Sequence, residues 1–472
     1  MLFETMLLTK IAIGGVVGCG LLNVLSKDES SGELATSKIG TVEDLKGLIG
    51  DNGLRLGKKI QLNEGKTREH IIVCGATGEG KTTSLFYPNL LTSDIQGSIV
   101  VIDPKGELYR DTSRFQESIG RTPILFNPLS PFDSAKYNLL AECRTTSEVV
   151  ELAQTILLNS SKALELQSGT KAGGIEWLNM SLPLFVSALI YVKSKGSPID
   201  TITSAARLVI NHGIEDLDTL LSNSDEEEVR EQFNIFKSCL ESPKTASSIK
   251  VTLNSSLQLF MDNNIIQSSS RTDFNAKMLR DKPICLYISY PEHKSNYLSP
   301  YMATFFTQLI NQLMETKGQS ITFLCDEFAN IGMINGFTTI ISTCRSRMIG
   351  FLICLQSTSQ LVQVYGRDNA KAILNNLKTK CVLPSITDIE TLNYISDILG
   401  DTQITLKNTS KNKSNTTDSY NTSKKRLLST DEIRRLGSDE ILIIPHNRQP
   451  FLDKQNLYYV NKKYTSRVSP IR

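Results

Sequence analysis

The stretch HIIVCGATGEGKTT, residues 70–83, joins a short apolar run to a glycine-rich turn that ends in lysine and threonine. The pattern G-x-x-x-x-G-K-[ST], filled from Gly75 to Thr82, is a phosphate loop when a strand precedes it and a helix follows. Its glycines let backbone N–H groups face one anionic ligand. Lys81 would reach the β- and γ-phosphates, and the Thr82 hydroxyl would hold Mg²⁺. The residues expected to bind the nucleotide are Gly75, Ala76, Thr77, Gly78, Glu79, Gly80, Lys81, Thr82 and Thr83.

A second apolar run leads into two adjacent acids. Ile321–Cys325, ITFLC, is followed directly by Asp326 and Glu327, which is the arrangement of a Walker B strand. Such a strand delivers an aspartate to the Mg²⁺ shell, here beside Thr82, and a glutamate to the water that attacks the γ-phosphate. The sequence therefore predicts ATP hydrolysis, with Thr82 and Asp326 as metal ligands and Glu327 as the catalytic base.

Three further polar side chains are candidates for catalysis. The next strand, Gly350–Leu355, ends at Gln356 on the same carboxyl edge of the sheet, where the amide can sense the γ-phosphate or hold the water. Arg345 and Arg347 precede that strand and are poorly placed for their own nucleotide. An arginine offered to a neighbouring subunit accelerates hydrolysis by several orders of magnitude, which predicts a ring. The alternative is two surface arginines in a helix–strand turn.

Continuous apolar runs separated by helical segments predict a parallel sheet covered on both faces. The expected strands are Ile71–Cys74, Ser98–Asp103, Pro123–Asn127, Ile284–Tyr290, Ile321–Cys325, Gly350–Leu355, Thr379–Leu383 and Glu440–Ile444. Residues 141–279 instead carry helical periodicity. Lys81 and Asp326 stand 245 positions apart although both must meet one Mg²⁺. The helical block is therefore expected to be an inserted all-α domain between two nucleotide-binding parts, at 60–140 and 280–472.

Two apolar segments raise the question of a membrane. Ile11–Leu25 approaches the length of a spanning helix. This favours an N-terminal membrane anchor at residues 1–28 over an interfacial or buried helix, with a polar linker at 29–59. Trp177–Val192 is also apolar, but it is short and interrupted by a proline. A core helix of the all-α domain is favoured there over a second membrane span.

Composition bounds the remaining possibilities. A chain of 472 residues with 40% hydrophobic and 21% charged residues is folded and long enough for two or three domains. Nine cysteines without a C-x-x-C pair and four scattered histidines argue against disulfides and zinc. Residues 401–472 hold 14 Lys or Arg against 7 Asp or Glu. Within them, 402–426 is predicted to be a flexible basic loop, whose cations either touch DNA phosphates or are solvated.

Taken together, the motifs resemble a known family. The chain resembles the type IV secretion coupling proteins, the TraG/TraD-like ATPases of conjugation systems, over roughly residues 65–460. The segments that carry the resemblance are Gly75–Thr82, Tyr87–Leu91, VIDPKGELY at Val101–Tyr109, Phe126–Pro128 with Tyr137–Asn138, the Trp177 helix, CDEFANIG at Cys325–Gly332, FLICLQSTSQL at Phe351–Leu361, Ala372–Lys380 and Leu428–Leu436.

The resemblance implies a RecA-like P-loop nucleotide-binding domain with an inserted all-α domain. It also implies a membrane-anchored homo-hexamer at the cytoplasmic mouth of a secretion channel in the inner membrane, with ATP and Mg²⁺ as cofactors. The implied partners are a relaxase–DNA complex or a secreted protein, and other channel components. By position, Arg345 falls where the family has its trans-acting arginine, and Gln356 is its motif III glutamine. Cys344 and Met348 stand where glycines are expected, so Arg345 and Arg347 both remain candidates.

Three functions are compatible with these features. The leading one is an ATP-driven coupling protein that recruits relaxase-bound single-stranded DNA or protein substrates to the channel and helps to translocate them. A second is an FtsK-type DNA translocase, which is disfavoured because no winged-helix recognition domain is expected near the C-terminus. A third is a docking receptor whose ATP binding gates recruitment with little turnover.

Overall fold

The computed structural model describes residues 37–168, 175–238, 242–412 and 415–469. The expected membrane anchor, residues 1–28, lies outside these ranges. Within them, no helix has both the length and the apolar character that crossing a bilayer requires. The described chain divides into two compact units: the larger holds residues 40–393 and 430–469, and the smaller holds residues 37–39 and 394–429.

A nine-stranded sheet forms the centre of the larger unit. The described strands, in chain order, are β1 (Ile71–Cys74), β2 (Ser98–Ile102), β3 (Thr122–Phe126), β4 (Ile284–Ile288), β5 (Ile321–Cys325), β6 (Ile349–Leu355), β7 (Thr379–Val382), β8 (Asp401–Asn412), β9 (Asn415–Arg426), β10 (Glu440–Ile444) and β11 (Phe451–Lys454). The sheet has the order β11-β10-β7-β1-β6-β5-β2-β4-β3. The seven strands from β7 to β3 are parallel. Each of β1, β2, β4, β5 and β6 is buried along its whole length, as expected for strands covered on both faces.

The sheet is mixed and not wholly parallel, which corrects the prediction. Strand β10 runs antiparallel to β7, and β11 runs antiparallel to β10. The six residues between β10 and β11 are too few for the crossover that a parallel pair requires. Strand β11 was not predicted, because its four residues alternate buried and exposed positions and include an aspartate and a lysine.

Helices cover the sheet and form the segment between β3 and β4. In chain order the described helices are α1 (Glu64–Thr67), α2 (Tyr87–Leu90), α3 (Glu107–Ser118), α4 (Thr146–Ser168), α5 (Ile175–Ser194), α6 (Ile202–Asn211), α7 (Ile214–Ser222), α8 (Glu227–Lys237), α9 (Pro243–Ser256), α10 (Asn263–Ser268), α11 (Ala276–Asp281), α12 (Ser295–Glu315), α13 (Phe337–Thr343), α14 (Thr358–Tyr365), α15 (Arg367–Asn376), α16 (Ile389–Leu399), α17 (Thr430–Arg434) and α18 (Lys462–Thr465). A π-helical turn, Thr82–Phe86, leads from the phosphate loop into α2.

The segment between β3 and β4 contains α4 to α11 and no described strand. Helix α5, which includes the whole apolar stretch Trp177–Val192, packs against α4, α6, α8 and α9. Its side chains Leu184, Phe185 and Leu189 are fully buried. Burial among neighbouring helices explains why α5 is apolar over most of its circumference.

The last part of the expected linker belongs to the core of the larger unit. Leu45, Leu48 and Leu54 are buried and join the hydrophobic cluster beneath the sheet. The carboxylate of Asp453 accepts hydrogen bonds from the backbone N–H groups of Lys59 at 2.8 Å and Ile60 at 3.1 Å. Residues 40–59 are therefore part of the folded unit and not a linker. Their partner Asp453 lies almost four hundred residues away in the sequence, so the composition of residues 40–59 does not reveal this contact.

Residues 402–426 also differ from the prediction of a flexible loop. In the smaller unit β8 and β9 form an antiparallel ribbon whose register runs from Asp401 opposite Arg426 to Asn412 opposite Asn415. At its base the Arg426 guanidinium pairs with the Asp397 carboxylate at 2.6 Å. Threonine and isoleucine within this polar segment favour extended backbone, whereas the asparagine, serine and lysine content suggested disorder.

Candidate functional site

The phosphate loop leaves the carboxyl end of β1, in the middle of the sheet. Gly78 and Gly80 have φ values of 87° and 90°, in the left-handed region that favours glycine. The Lys81 side chain is buried, and its Nζ donates to the carbonyl oxygens of Gly75 at 2.8 Å and Ala76 at 3.3 Å. The loop therefore curls around its own ammonium group, which lines an open cleft.

Thr82 and Asp326, the residues expected to hold the metal ion, meet in this cleft. The Thr82 hydroxyl donates to Asp326 Oδ2 at 2.9 Å. Asp326 Oδ1 is buried, and no group among the described residues donates to it. Burial raises the pKa of Asp326 to about 6, while the Thr82 hydrogen bond acts in the opposite direction. A hydroxyl beside a carboxylate oxygen with free lone pairs suits Mg²⁺, which takes few protein oxygens and completes its octahedron with water and phosphate oxygens.

Glu327 and Gln356 lie next to this pair and contact each other. The Gln356 amide Nε2 donates to Glu327 Oε1 at 3.0 Å, and Lys81 Nζ lies 3.5 Å from the same oxygen. The Glu327 backbone has φ 55° and ψ 54°, a left-handed conformation that costs of order 1–3 kcal/mol for a residue other than glycine. Such strain persists only where surrounding contacts hold it. The carboxylate is thus fixed between an ammonium and an amide at the mouth of the phosphate loop.

Sheet register explains why these groups meet. Strands β1, β5 and β6 are parallel neighbours, with Cys74 opposite Leu355 and Cys325 opposite Ile353. The residues that follow each strand therefore emerge at one edge of the sheet, where α/β proteins bind their ligands. Six of the nine predicted loop residues line the cleft: Thr77, Gly78, Gly80, Lys81, Thr82 and Thr83.

Five lining residues were not predicted: Asp103, Pro104, Lys105, Glu107 and Glu292. Asp103 is buried, and Tyr109 N–H donates to its Oδ2 at 2.9 Å. Burial raises the pKa of Asp103 to about 6. A sequence signal for it existed, because β2 ends in an acid just as β5 does. The register of Ile102 opposite Cys325 brings the two acids side by side, and that register is not visible in either segment alone.

The structure does not bring Arg345 and Arg347 into this cleft. They lie in a single turn, Cys344–Arg347, just before β6, at the amino edge of the sheet. The phosphate loop is at the carboxyl edge, roughly 20 Å away along a seven-residue strand. The Arg345 guanidinium is exposed and pairs with the Glu69 carboxylate at 3.0 Å. Met348, which replaces an expected glycine, adopts φ 56°, so this position does use the conformation that favours glycine.

A phosphate loop on a central strand of a mainly parallel sheet, with an Asp-Glu pair two strands away, defines the class of RecA-like P-loop proteins. The family model described as Type IV secretory system Conjugative DNA transfer matches residues 27–472. The chain belongs to this family, and the resemblance stated from the motifs is confirmed.

Curated relatives agree with this assignment. Protein VirD4 of Rhizobium radiobacter is 26% identical over 404 residues, which cover 83% of this chain and 57% of the relative. The conjugal transfer protein TraG of Escherichia coli is 23% identical over 367 residues, covering 71% and 55%. The chain thus spans rather more than half the length of these relatives.

Two solved structures share the fold. The bacterial conjugative coupling protein TrwBdeltaN70 in complex with sulphate matches with a TM-score of 0.71 at 17% identity, over 90% of this chain and 95% of that chain. TrwB in complex with ADP and Mg²⁺ matches with a TM-score of 0.70 at 17% identity, over 90% and 94%.

Proposed function

We propose that the chain is an ATP-hydrolysing coupling protein of a type IV secretion or conjugation system. It recruits relaxase-bound single-stranded DNA or protein substrates to the membrane channel and helps to translocate them. The observation that best supports ATP hydrolysis is the position of the Glu327 carboxylate beside the phosphate loop. It lies between Gln356 Nε2 at 3.0 Å and Lys81 Nζ at 3.5 Å. Family membership and the names of VirD4 and TraG support the role in transfer.

The residues divide the chemistry among them. Lys81 and the loop N–H groups bind the β- and γ-phosphates, and Glu327 accepts the proton of the attacking water at a carboxylate oxygen. Gln356 orients that carboxylate through its amide hydrogen bond. A γ-phosphate would also offer Lys81 Nζ a stronger partner than the carbonyl oxygens that it contacts here.

Mg²⁺ would be held by Thr82 Oγ1 and Asp326. The unpartnered Asp326 Oδ1 supports this assignment, and a homologous fold, TrwB, has been solved with ADP and Mg²⁺. When bound, the ion neutralises charge on the β- and γ-phosphates. The chain's own contribution is to keep the hydroxyl and the carboxylate 2.9 Å apart at the end of β5.

A homo-hexameric ring completes the site in this proposal. Arg345 and Arg347 are at the sheet edge opposite their own phosphate loop, so either arginine can serve only the γ-phosphate of a neighbouring subunit. Glu69, which pairs with Arg345, would then hold that guanidinium until a neighbour's nucleotide competes for it. The ring would be attached to the inner membrane through residues 1–28, with the nucleotide sites facing the cytoplasm.

Glu327→Gln tests hydrolysis separately from binding. We expect the variant to retain ATP binding while turnover falls by roughly 10²–10⁴-fold, because the amide cannot accept the proton of water. The control is Glu315→Gln, an exposed glutamate that pairs with Arg144 at the surface. In a mating assay Glu327→Gln should abolish transfer. Full transfer by this variant would instead identify a docking receptor that does not need hydrolysis.

A further inference from the structure

One side chain of the helical insertion, which comprises α4 to α11 between β3 and β4, forms hydrogen bonds with the segment that follows Glu327. Asn159, on α4, is 1% exposed. Its Oδ1 accepts from Met333 N–H at 2.8 Å, and its Nδ2 donates to the Met333 carbonyl at 3.0 Å. Nδ2 also donates to the carbonyl of Thr155, one turn earlier on α4, at 2.9 Å. A single amide thus satisfies both backbone polar groups of Met333 and is itself anchored to its own helix.

Met333 is connected to the catalytic site by a short and rigid path. Glu327 enters a single 3₁₀ turn, Phe328–Ile331, and Gly332 and Met333 follow directly. Asn330 N–H donates to the Glu327 carbonyl at 2.9 Å, and the aromatic ring of Phe328 is buried. Gly332 has φ 94°, and a Cβ there would lie 2.8 Å from Asn159 Oδ1. Only five residues, 328–332, separate the backbone of Met333 from the strained backbone of Glu327.

A second contact joins the same face of α4 to the Gln356 side of the site. Lys162 Nζ donates to the Val364 carbonyl at 2.5 Å. This carbonyl lies in the last turn of α14, where it has no partner within the helix. Helix α14 begins just after Gln356, and Gln360 in its first turn accepts from the Gln356 N–H at 2.8 Å. Asn159 and Lys162, one turn apart, therefore hold the elements that carry the two partners of the Glu327–Gln356 hydrogen bond.

We propose that Asn159 is a positioning residue for ATP hydrolysis, and that it couples the helical insertion to Glu327. The inference rests on the proposed ATPase function and adds the connection by which α4 adjusts the catalytic carboxylate. Lys162 provides the second attachment, on α14. Movement of α4, for example when a substrate binds the insertion, is transmitted through these contacts to the geometry of Glu327 and Gln356.

The first test compares Asn159→Ala with Ser160→Ala in the full chain. Ser160 is the adjacent residue on α4, is also buried, and donates to the Ser256 carbonyl within the insertion at 2.9 Å. Asn159→Ala loses three buried hydrogen bonds and Ser160→Ala loses one, but only Asn159 contacts the segment that follows Glu327. We expect Asn159→Ala to lower kcat by roughly 10- to 100-fold, with KM for ATP within about twofold because the phosphate loop is intact. Ser160→Ala should keep the wild-type kcat.

The second measurement does not depend on turnover. Trp177 is the sole tryptophan of the chain, lies on α5, and lines a small cavity with Ser161 and Leu164 of α4. Binding of ATP with Mg²⁺ should change its fluorescence in the wild type and in Ser160→Ala, while Asn159→Ala binds nucleotide with little change.

The outcomes separate the two proposals. If the wild type binds ATP but does not hydrolyse it, the proposed ATPase function fails, and the Trp177 signal still decides the coupling. A wild-type kcat and a wild-type Trp177 response in Asn159→Ala would overturn the inference. Equal loss of kcat in Asn159→Ala and Ser160→Ala would also overturn it, because the effect would then reflect packing of α4 alone.

Discussion

Acidification is expected to destabilise this protein through one buried imidazole, that of His70. The residue precedes β1, is 3% exposed, and accepts a hydrogen bond from Phe351 N–H at Nδ1, 3.3 Å away. Burial, and secondarily the positive charge of Arg345, lowers the pKa of His70 from 6.5 to about 4. Lys378 acts in the same direction as Arg345. The folded protein therefore keeps this ring neutral at pH values where the unfolded chain protonates it.

The sign and size of the effect follow from this difference. Because the folded pKa is depressed, the stabilisation is present above pH 6.5 and is lost as the pH falls toward 4. One pKa unit corresponds to about 1.4 kcal/mol, so neutral His70 contributes about 3 kcal/mol at neutral pH. Between pH 7.5 and pH 5 the protein should lose about 2 kcal/mol of this contribution.

His70→Asn removes the titrating group and keeps an acceptor for the Phe351 N–H. Asparagine tolerates the φ of 63° found here, and its Oδ1 can accept from Phe351 N–H. Urea unfolding at pH 7.5, 6 and 5 without nucleotide gives the free energy of unfolding for each protein. The wild type should lose about 2 kcal/mol more than His70→Asn over this range. The exposed His446 provides the control, since His446→Asn should keep the wild-type pH dependence. Equal pH dependence of wild type and His70→Asn would refute the reasoning.

Two further predictions concern the ring and the core. Subunits carrying Lys81→Ala are mixed with subunits carrying Arg345→Ala or Arg347→Ala. The mixture should regain ATPase activity only when the substituted arginine is the one that acts in trans. No regained activity with either arginine variant, from protein that stays monomeric on DNA, would contradict the ring. Asp453→Ala should lower the free energy of unfolding by roughly 2–4 kcal/mol, since three backbone N–H groups lose their charged acceptor. Urea unfolding measures this loss, and Asp439→Ala, at an exposed pair with Lys454, should lower the free energy of unfolding far less.

Local sequence was sufficient for the parts of the site that are local in the chain. The phosphate loop is eight consecutive residues, Gly75–Thr82, and the Walker B pair directly follows an apolar strand. Glycine conformations, strand burial and the requirement for a lysine and a hydroxyl all operate within a few residues. The same holds for the sheet, because strands buried on both faces appear as apolar runs.

Contacts between distant segments could not be read in this way. The Gln356 amide meets the Glu327 carboxylate, Asp103 lies beside Asp326, and residues 40–59 enter the core through Asp453. Each contact depends on strand register or on the packing of residues near Asp453 against residues 40–59. The hydrophobic periodicity of neither segment predicts that the two segments meet.

The sequence alone determined a P-loop fold and its family, and it predicted the residues that bind the nucleotide. Tertiary structure decided what surrounds the Glu327 carboxylate. It gave Glu327 a left-handed backbone and fixed its carboxylate between Lys81 and Gln356. It also placed Asn159, 168 positions earlier, against the segment that follows Glu327. The physical reason is that backbone strain and hydrogen-bond partners depend on contacts between segments that are distant in sequence. The residues of a motif, in contrast, are neighbours along the chain.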